Sequence, residues 1–268
     1  MMRQRGFTLV ELVVTLVITG VLAATLTMFL KPVIDGYFDT RRRADLADAA
    51  DTALRRMAMD IRRAVPNSVV PVSASCIQLV PSSGGGRYRL APDIAAPSSD
   101  WLDNSQATLR FDVLSPLTTV PAAGDWVVIG NQVAADLYDG TTRAAVASVD
   151  AANAYRQHRI NLAAAKQFPL GYDGGRFVLV ANAEQSVFYS CANRTLYRTV
   201  AAFSADRGTT CASTAGAVVA GDVEACSFVY DPNQGATQQA GFVWMRLELR
   251  RDGEGIALVQ GVHVDNVP

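Results

Sequence analysis

Few side chains in this 268-residue chain are of types that do chemistry. The two histidines, His158 and His263, stand far apart, and no Cys-x-x-Cys or nearby Cys/His spacing of a zinc site occurs. No Gly-x-Ser-x-Gly elbow and no Walker-type phosphate loop is present. The run Gly84-Gly85-Gly86 predicts a turn rather than a nucleotide-binding loop, because no helical pattern follows it. We therefore expect no catalytic residue, no metal ligand and no cofactor.

The four cysteines, Cys76, Cys191, Cys211 and Cys226, all lie in the second, outer part of the chain. An even number of cysteines in an exported domain predicts disulfides. Three pairings are possible. The shortest loop joins Cys211 to Cys226 and leaves Cys76 with Cys191, and this is the pairing that we predict.

A single carboxylate stands out near the N-terminus. Glu11 is the only charged residue between Thr8 and Leu30, a run of apolar residues long enough to span a bilayer as a helix. A carboxylate near the start of a membrane helix costs a few kcal/mol, so Glu11 is a candidate functional residue. The run is longer than the apolar part of an ordinary signal peptide, and no small-x-small cleavage site precedes a polar segment. We therefore predict a retained anchor.

Composition limits the classes of function that remain. The formal net charge is −1 and the pI is near 6.1, so there is no overall basic excess, and we expect no nucleic acid as a partner. Half of the residues are hydrophobic and only 18% are charged, which excludes a disordered chain. The length allows one or two domains with a substantial core.

The stretch Gly6-Phe7-Thr8-Leu9-Val10-Glu11, which follows a short basic leader, closely resembles the class III signal of type IV pilins. The resemblance implies that a prepilin peptidase cuts after Gly6 on the cytoplasmic face and methylates Phe7 as the new N-terminus. It also implies that Glu11 attracts the positive N-terminus of a neighbouring subunit, an ion pair that is strong in a low-dielectric helix bundle. The resemblance further implies that a pilus assembly platform and its ATPase extract the subunit from the membrane.

The basic residues on the two sides of the apolar run favour opposite orientations of the helix in the membrane. Arg3 and Arg5 favour a cytoplasmic N-terminus, whereas Lys31 and Arg41–Arg43 argue the other way. Because the leader lies closest and enters first, we expect a single pass through the bacterial inner membrane, N-in and C-out. After assembly, we expect the protein in the periplasm and the cell-surface pilus. Arg41–Arg43 could contact lipid headgroups or form a solvated helix face.

Apolar residues then recur at spacings of three and four from Leu46 to Ala64, which predicts an amphipathic helix. We expect one helix from about residue 7 to 64, bent at Pro32. Short alternating runs after it predict strands, including a hairpin around Arg251–Gly255. Residues 131–170 look loop-like, with a short helix near Ala151–Tyr155. The predicted fold is α+β, with an antiparallel β-sheet domain on the long helix, as in the lollipop shape of pilins.

This organisation divides the chain into four predicted segments. They are a cleaved leader (1–6), the transmembrane half of the helix (7–30), its amphipathic periplasmic half (31–65) and a β-rich periplasmic pilin-like domain (66–268).

Most of the chain also resembles the large minor pilin-like proteins of the MSHA pilus system. The motifs that carry this weaker resemblance are Gly85-Gly86-Arg87-Tyr88-Arg89, Ser190-Cys191, Thr195-Leu196-Tyr197-Arg198, Cys226-Ser227-Phe228-Val229-Tyr230-Asp231-Pro232 and Val262-His263-Val264-Asp265-Asn266-Val267-Pro268. The resemblance implies a structural subunit that acts in pilus initiation or at the tip, with other pilin subunits as partners. Two alternatives stay open: a J-type minor pseudopilin of type II secretion, and a signal-anchored periplasmic binding protein or enzyme.

Overall fold

A computed structural model of the chain describes residues 6–170, 174–204, 208, 210–211, 216–234 and 240–267. A long helix, α1 (Leu9–Arg62), opens the structure. The elements after it are β1 (Val70–Ser73), β2 (Cys76–Leu79), β3 (Gly84–Arg87), β4 (Thr108–Val113), β5 (Trp126–Val128), α2 (Ala134–Asp139), β6 (Arg143–Asp150), β7 (His158–Lys166), β8 (Arg176–Val180), a 3-10 turn (Asn182–Glu184), β9 (Ser186–Ala192), β10 (Thr195–Ala201), β11 (Ala217–Ala220), β12 (Val223–Gln234), β13 (Ala240–Arg251) and β14 (Glu254–Asp265). All pairs of neighbouring strands are antiparallel, so the predicted α+β class is confirmed.

Helix α1 runs without interruption through Pro32 and ends within two residues of the predicted limits. Its buried residues all lie in its last third, where the spacing of three and four predicted an apolar stripe: Leu46, Ala50, Ala53, Leu54, Met57, Ala58, Asp60 and Ile61. The helix therefore has a packed part near the domain and an uncovered part before it.

Two sheets form one core with this stripe. One has the order β1-β2-β9-β10-β11 and the other is the meander β12-β13-β14. Along β13, alternate residues from Val243 to Leu249 are buried, as the period of two predicts. The predicted hairpin is present: Arg251 pairs with Glu254, and Asp252 and Gly253 both have positive φ, which suits an Asp-Gly turn.

A third sheet is inserted into the first one. Strands β2 and β9 are neighbours in space, yet the chain between them forms the six-stranded sheet β3-β8-β5-β6-β7-β4. An isolated bridge between Tyr88 and Val113 joins the two ends of this sheet. Its own core contains Phe111, whose ring meets the rings of Tyr88 and Phe177 edge-on at centroid distances of 6.0 and 5.7 Å.

The sequence-based prediction is wrong for two parts of this inserted sheet. Residues 131–170 are not mainly loop, because they contain α2, β6 and β7, and residues 151–155 are not helical. Gly84–Gly86 is strand β3 rather than a turn. A Cβ added at Gly85 would lie 2.6 Å from the carbonyl oxygen of Phe177, so the absence of a side chain permits this close strand approach.

All four cysteines form disulfides, but the predicted pairing is wrong. The bonds are Cys76–Cys211 and Cys191–Cys226. Cys76 lies opposite Ser190 on the neighbouring strand, and Cys191, the next residue, points to the other face of the same sheet. Cys76 and Cys191 therefore cannot bridge, and Cys191 instead meets Cys226 of β12 across the core.

Candidate functional site

The residues of the predicted processing site lie outside the helix. Gly6, Phe7 and Thr8 precede α1 in non-helical backbone. The Phe7 side chain is 80% exposed, and no atom outside the immediate chain lies within 4 Å of the Cβ position of Gly6. A protease needs an accessible segment outside a helix, and the bond between Gly6 and Phe7 lies in such a segment.

A capping box makes the helix begin just after this segment. The Thr8 side chain accepts a hydrogen bond from the backbone N–H of Glu11 at 3.3 Å, and the Glu11 carboxylate accepts one from the Thr8 N–H at 3.2 Å. The Thr8 hydroxyl also donates to that carboxylate at 3.0 Å. These reciprocal bonds satisfy donors that every helix N-terminus leaves open. Glu11 is fixed at the first turn, four residues after Phe7, which the predicted cleavage would make the new N-terminus.

Among the described helices, α1 alone is long and apolar enough to cross a membrane. The apolar segment in its first half is not buried anywhere within the chain. The polar side chains there bond locally. Thr19, for example, donates its hydroxyl to the carbonyl of Thr15 at 2.7 Å, and Thr15, Thr25 and Thr27 do the same to carbonyls three or four residues back. No polar group of these threonines needs water, so this half suits a membrane or a bundle of helices.

The basic run after the membrane half contacts the β13–β14 hairpin. Arg43 donates to Glu254, and Arg42 lies 3.7 Å from Asp252 as well as 3.0 Å from Asp39. The hydrogen bond from Arg43 lowers the pKa of Glu254. Two of the three arginines thus hold the tip of the hairpin on the helix, a contact that neither the headgroup nor the solvated-face interpretation anticipated.

At the other end of α1, a buried carboxylate ties the helix to the first sheet. Asp60 accepts hydrogen bonds from the Tyr189 hydroxyl at 2.7 Å and from Nε of Arg198 at 2.8 Å, and Arg63 lies 2.8 Å from its second oxygen. Burial raises the pKa of Asp60, but the bonds from Arg198 and Tyr189 outweigh it, so the net shift is downward. Arg198 also reaches Glu184 at 2.6 Å.

No prediction from the sequence singled out Asp60 or this network. The signal was its spacing: Asp60 lies three residues after Met57 and four before Ala64, so it shares their stripe. A carboxylate on a buried stripe needs donors from another element.

Other candidate chemistry is sparse in the part of the chain that the structure describes. No group of three or more His, Cys, Asp or Glu side chains is placed to hold a metal there. His263 lies on the outer face of the meander, with its ring 4.8 Å from the ring of Phe242. His158 lies in β7, opposite Val113.

A scan against protein-family models matches the prokaryotic N-terminal methylation motif to residues 1–27. Searches of curated proteins and of solved structures found no match to the chain. The matched segment contains Gly6, Phe7 and Glu11 and most of the apolar half of α1. The motif implies processing by prepilin peptidase and assembly with other pilins, and it supports a type IV pilin-like protein with a class III signal.

Proposed function

We propose that this chain is a minor pilin-like structural subunit of an MSHA-type type IV pilus, processed by prepilin peptidase and acting in pilus initiation or at the tip. Cleavage after Gly6 exposes Phe7 for N-methylation. The subunit waits in the inner membrane, N-in and C-out, with its β-rich domain in the periplasm, and then enters the filament with α1 in the core. In this proposal the protein does no chemistry of its own.

One observation carries the proposal. An exposed, non-helical Gly6–Phe7 segment stands directly before a capped helix whose apolar half covers nothing in its own chain. A surface of this kind is stable only in a membrane or against other helices. A filament subunit must occupy both environments in turn.

The Glu11 carboxylate gives the helices a preferred register. In a bundle, it is close enough to its own helix start to keep the capping box or to exchange it for the methylated N-terminus of a neighbour. An uncompensated carboxylate in a low-dielectric core is costly, so the register that pairs Glu11 is favoured over those that leave it unpaired.

The size of the outer domain supports a minor rather than a repeating role. The six-stranded sheet adds a second core to the helix-packed sheets. A bulky insert is hard to repeat in a helical lattice, whereas a subunit at the tip has no neighbour above it. A J-type minor pseudopilin of type II secretion would share the same N-terminal motif, so the experiments below separate the two systems.

The first experiment is mass spectrometry of the mature N-terminus from the native host. We expect N-methyl-Phe7 as the first residue and a Gly6→Val variant that keeps its leader. An intact leader on the wild type would reject the pilin-type proposal and favour a signal-anchored periplasmic protein.

The second experiment is deletion of the gene with two readouts. We expect fewer surface filaments and unchanged protein secretion, with immunogold label at filament ends. Loss of secretion with normal filaments would assign the chain to type II secretion, and even labelling along filaments would reject the tip position.

A further inference from the structure

A cationic cleft opens where α1 ends. Its volume is about 460 Å³. Four arginines line it, and they come from the end of the helix and from two strands of the inserted sheet: Arg62, Arg63, Arg87 and Arg176. We call this the arginine cleft.

The pairing of β3 with β8 places two of these arginines side by side. Arg87 of β3 lies directly opposite Arg176 of β8. The backbone N–H of Arg87 donates to Ser115 rather than to β8, so the two arginines form a non-hydrogen-bonded pair, the kind whose side chains lie closest. Like charges in this arrangement destabilise a sheet.

Nothing among the described residues neutralises this charge. Arg63 is paired with Asp60 and Glu184, but no described carboxylate lies within ion-pair distance of Arg62, Arg87 or Arg176. Asp265 also lines the cleft, and its carboxylate accepts the backbone N–H of Val267 at 3.0 Å. The walls therefore carry more positive than negative charge.

The remaining wall is partly apolar. Pro66, Val178 and Val267 line the cleft beside the arginines. A polypeptide segment with acidic and aliphatic side chains matches both parts of this surface, since guanidinium groups bind carboxylates through paired hydrogen bonds.

The cleft also lies far from the membrane half of α1. The helix has 54 residues, so at 1.5 Å per residue Arg62 stands about 80 Å from the start of α1. The cleft therefore lies outside the bilayer, where the outer domain of a partner can reach it.

We propose that the arginine cleft binds an acidic polypeptide segment of a neighbouring pilin-like subunit. This rests on the proposed function and names the chemistry of one partner. The ligand carboxylates neutralise the opposed Arg87 and Arg176, and Arg62 contributes from the helix end.

Binding can be measured on the full chain in detergent, by fluorescence anisotropy with a labelled (Glu-Val)4 peptide at low salt. We expect Arg87→Gln and Arg176→Gln each to weaken binding about tenfold or more, as for charge-assisted hydrogen bonds. The matched control is Arg56→Gln, because Arg56 is an exposed arginine elsewhere on α1, and it should change binding less than about twofold. Equal binding by the wild type and the cleft variants would overturn the proposal, and so would tighter binding of a heparin tetrasaccharide than of the peptide.

A thermal readout tests the same pair without relying on affinity. In the absence of peptide, Arg176→Gln removes the opposed charges and should raise Tm by about 1–3 °C. With the same excess of peptide, the Tm of the wild type should rise more than that of the variant, because the variant binds the peptide more weakly. If the variant melts below the wild type without peptide, the two arginines are structural and the proposal fails.

Failure of this inference and failure of the proposed function give different results. Cells that carry Arg87→Glu with Arg176→Glu should still yield N-methyl-Phe7 but assemble fewer filaments. An unprocessed wild type refutes the proposed function, whereas a processed variant with normal filaments refutes only the role of the cleft.

Discussion

The two halves of α1 are continuous in backbone and opposite in environment. From Leu9 to Leu30 every residue is exposed within the chain, although most side chains are apolar. From Leu46 to Ile61 one stripe is buried against two sheets, and even the charged Asp60 has its partners. The chain itself buries the apolar surface of the second half of the helix. The apolar surface of the first half is left for other molecules to cover.

The two halves of α1 therefore have different roles in stability. A domain can cover only one side of a helix that is apolar on all sides. The stability of the first half therefore depends on lipid or on other helices. A helix with one apolar stripe stabilises the domain by burying that stripe against it. Substitutions in the second half should therefore change unfolding of the domain, and substitutions in the first half should change assembly.

The largest effect is expected at Asp60. Asp60→Ala leaves Arg198 and Tyr189 without their buried acceptor, and breaking such a pair from one side costs about 3–5 kcal/mol of unfolding free energy. Denaturant unfolding of the full chain in detergent measures it. Asp51→Ala is the control, because Asp51 is paired with the exposed Arg55 on the same helix, and the substitution should cost below about 1 kcal/mol. Similar losses for both variants would contradict the comparison.

The two disulfides should contribute unequally. Removal of either bond as a double Cys→Ser variant should cost about 2–4 kcal/mol. Cys76–Cys211 spans 135 residues and Cys191–Cys226 spans 35, so loss of the first should cost about 1 kcal/mol more through the entropy of the unfolded chain. Denaturation of the two double variants gives the difference. Equal losses of unfolding free energy for the two double variants would contradict the predicted dependence on loop length.

Acid should weaken the second half of the helix through the same carboxylate. The folded pKa of Asp60 lies below its usual value of about 3.9, so its contribution is complete above that pH and is lost as the pH falls through the lower folded value. We expect the difference in Tm between wild type and Asp60→Asn to shrink as the pH falls below about 4. A difference that stays constant down to pH 2 would argue against the charged pair.

The smallest effect on domain stability is expected at Glu11. Glu11→Ala removes a capping box far from the domain, so domain unfolding should change by less than about 0.5 kcal/mol. Membrane insertion should persist, and incorporation into filaments should fall. Counting labelled filaments in cells with equal amounts of processed subunit tests this. Normal incorporation of Glu11→Ala would show that the proposed ion pair is dispensable.

Features set by neighbouring residues could be predicted from the sequence. The alternation along Val243–Leu249 and the Asp252-Gly253 turn fix a hairpin locally, and the stripe from Leu46 is a local period as well. The segment from Gly6 to Glu11 depends on a short motif, so its candidate residues were found, and their roles stay predictions.

Features set by distant contacts could not be predicted. The alanines of β6 and β7 have weak strand preference and become strands because they pair within the inserted sheet. Which face Cys191 occupies depends on the register of β2 with β9. Asp60 looks like a surface residue until Tyr189 and Arg198, more than a hundred residues later, approach it.

The insertion between β2 and β9 makes the inserted sheet replaceable. Because Leu79 and Val187 pair across these strands, the inserted sheet leaves and re-enters the domain at nearly one point. A short linker there could replace it, provided that the apolar seam containing Val65, Val80 and Val180 is made polar. The same port could accept a foreign domain. The helix-packed sheets and the inserted sheet are then separable modules, and the inserted one can be exchanged.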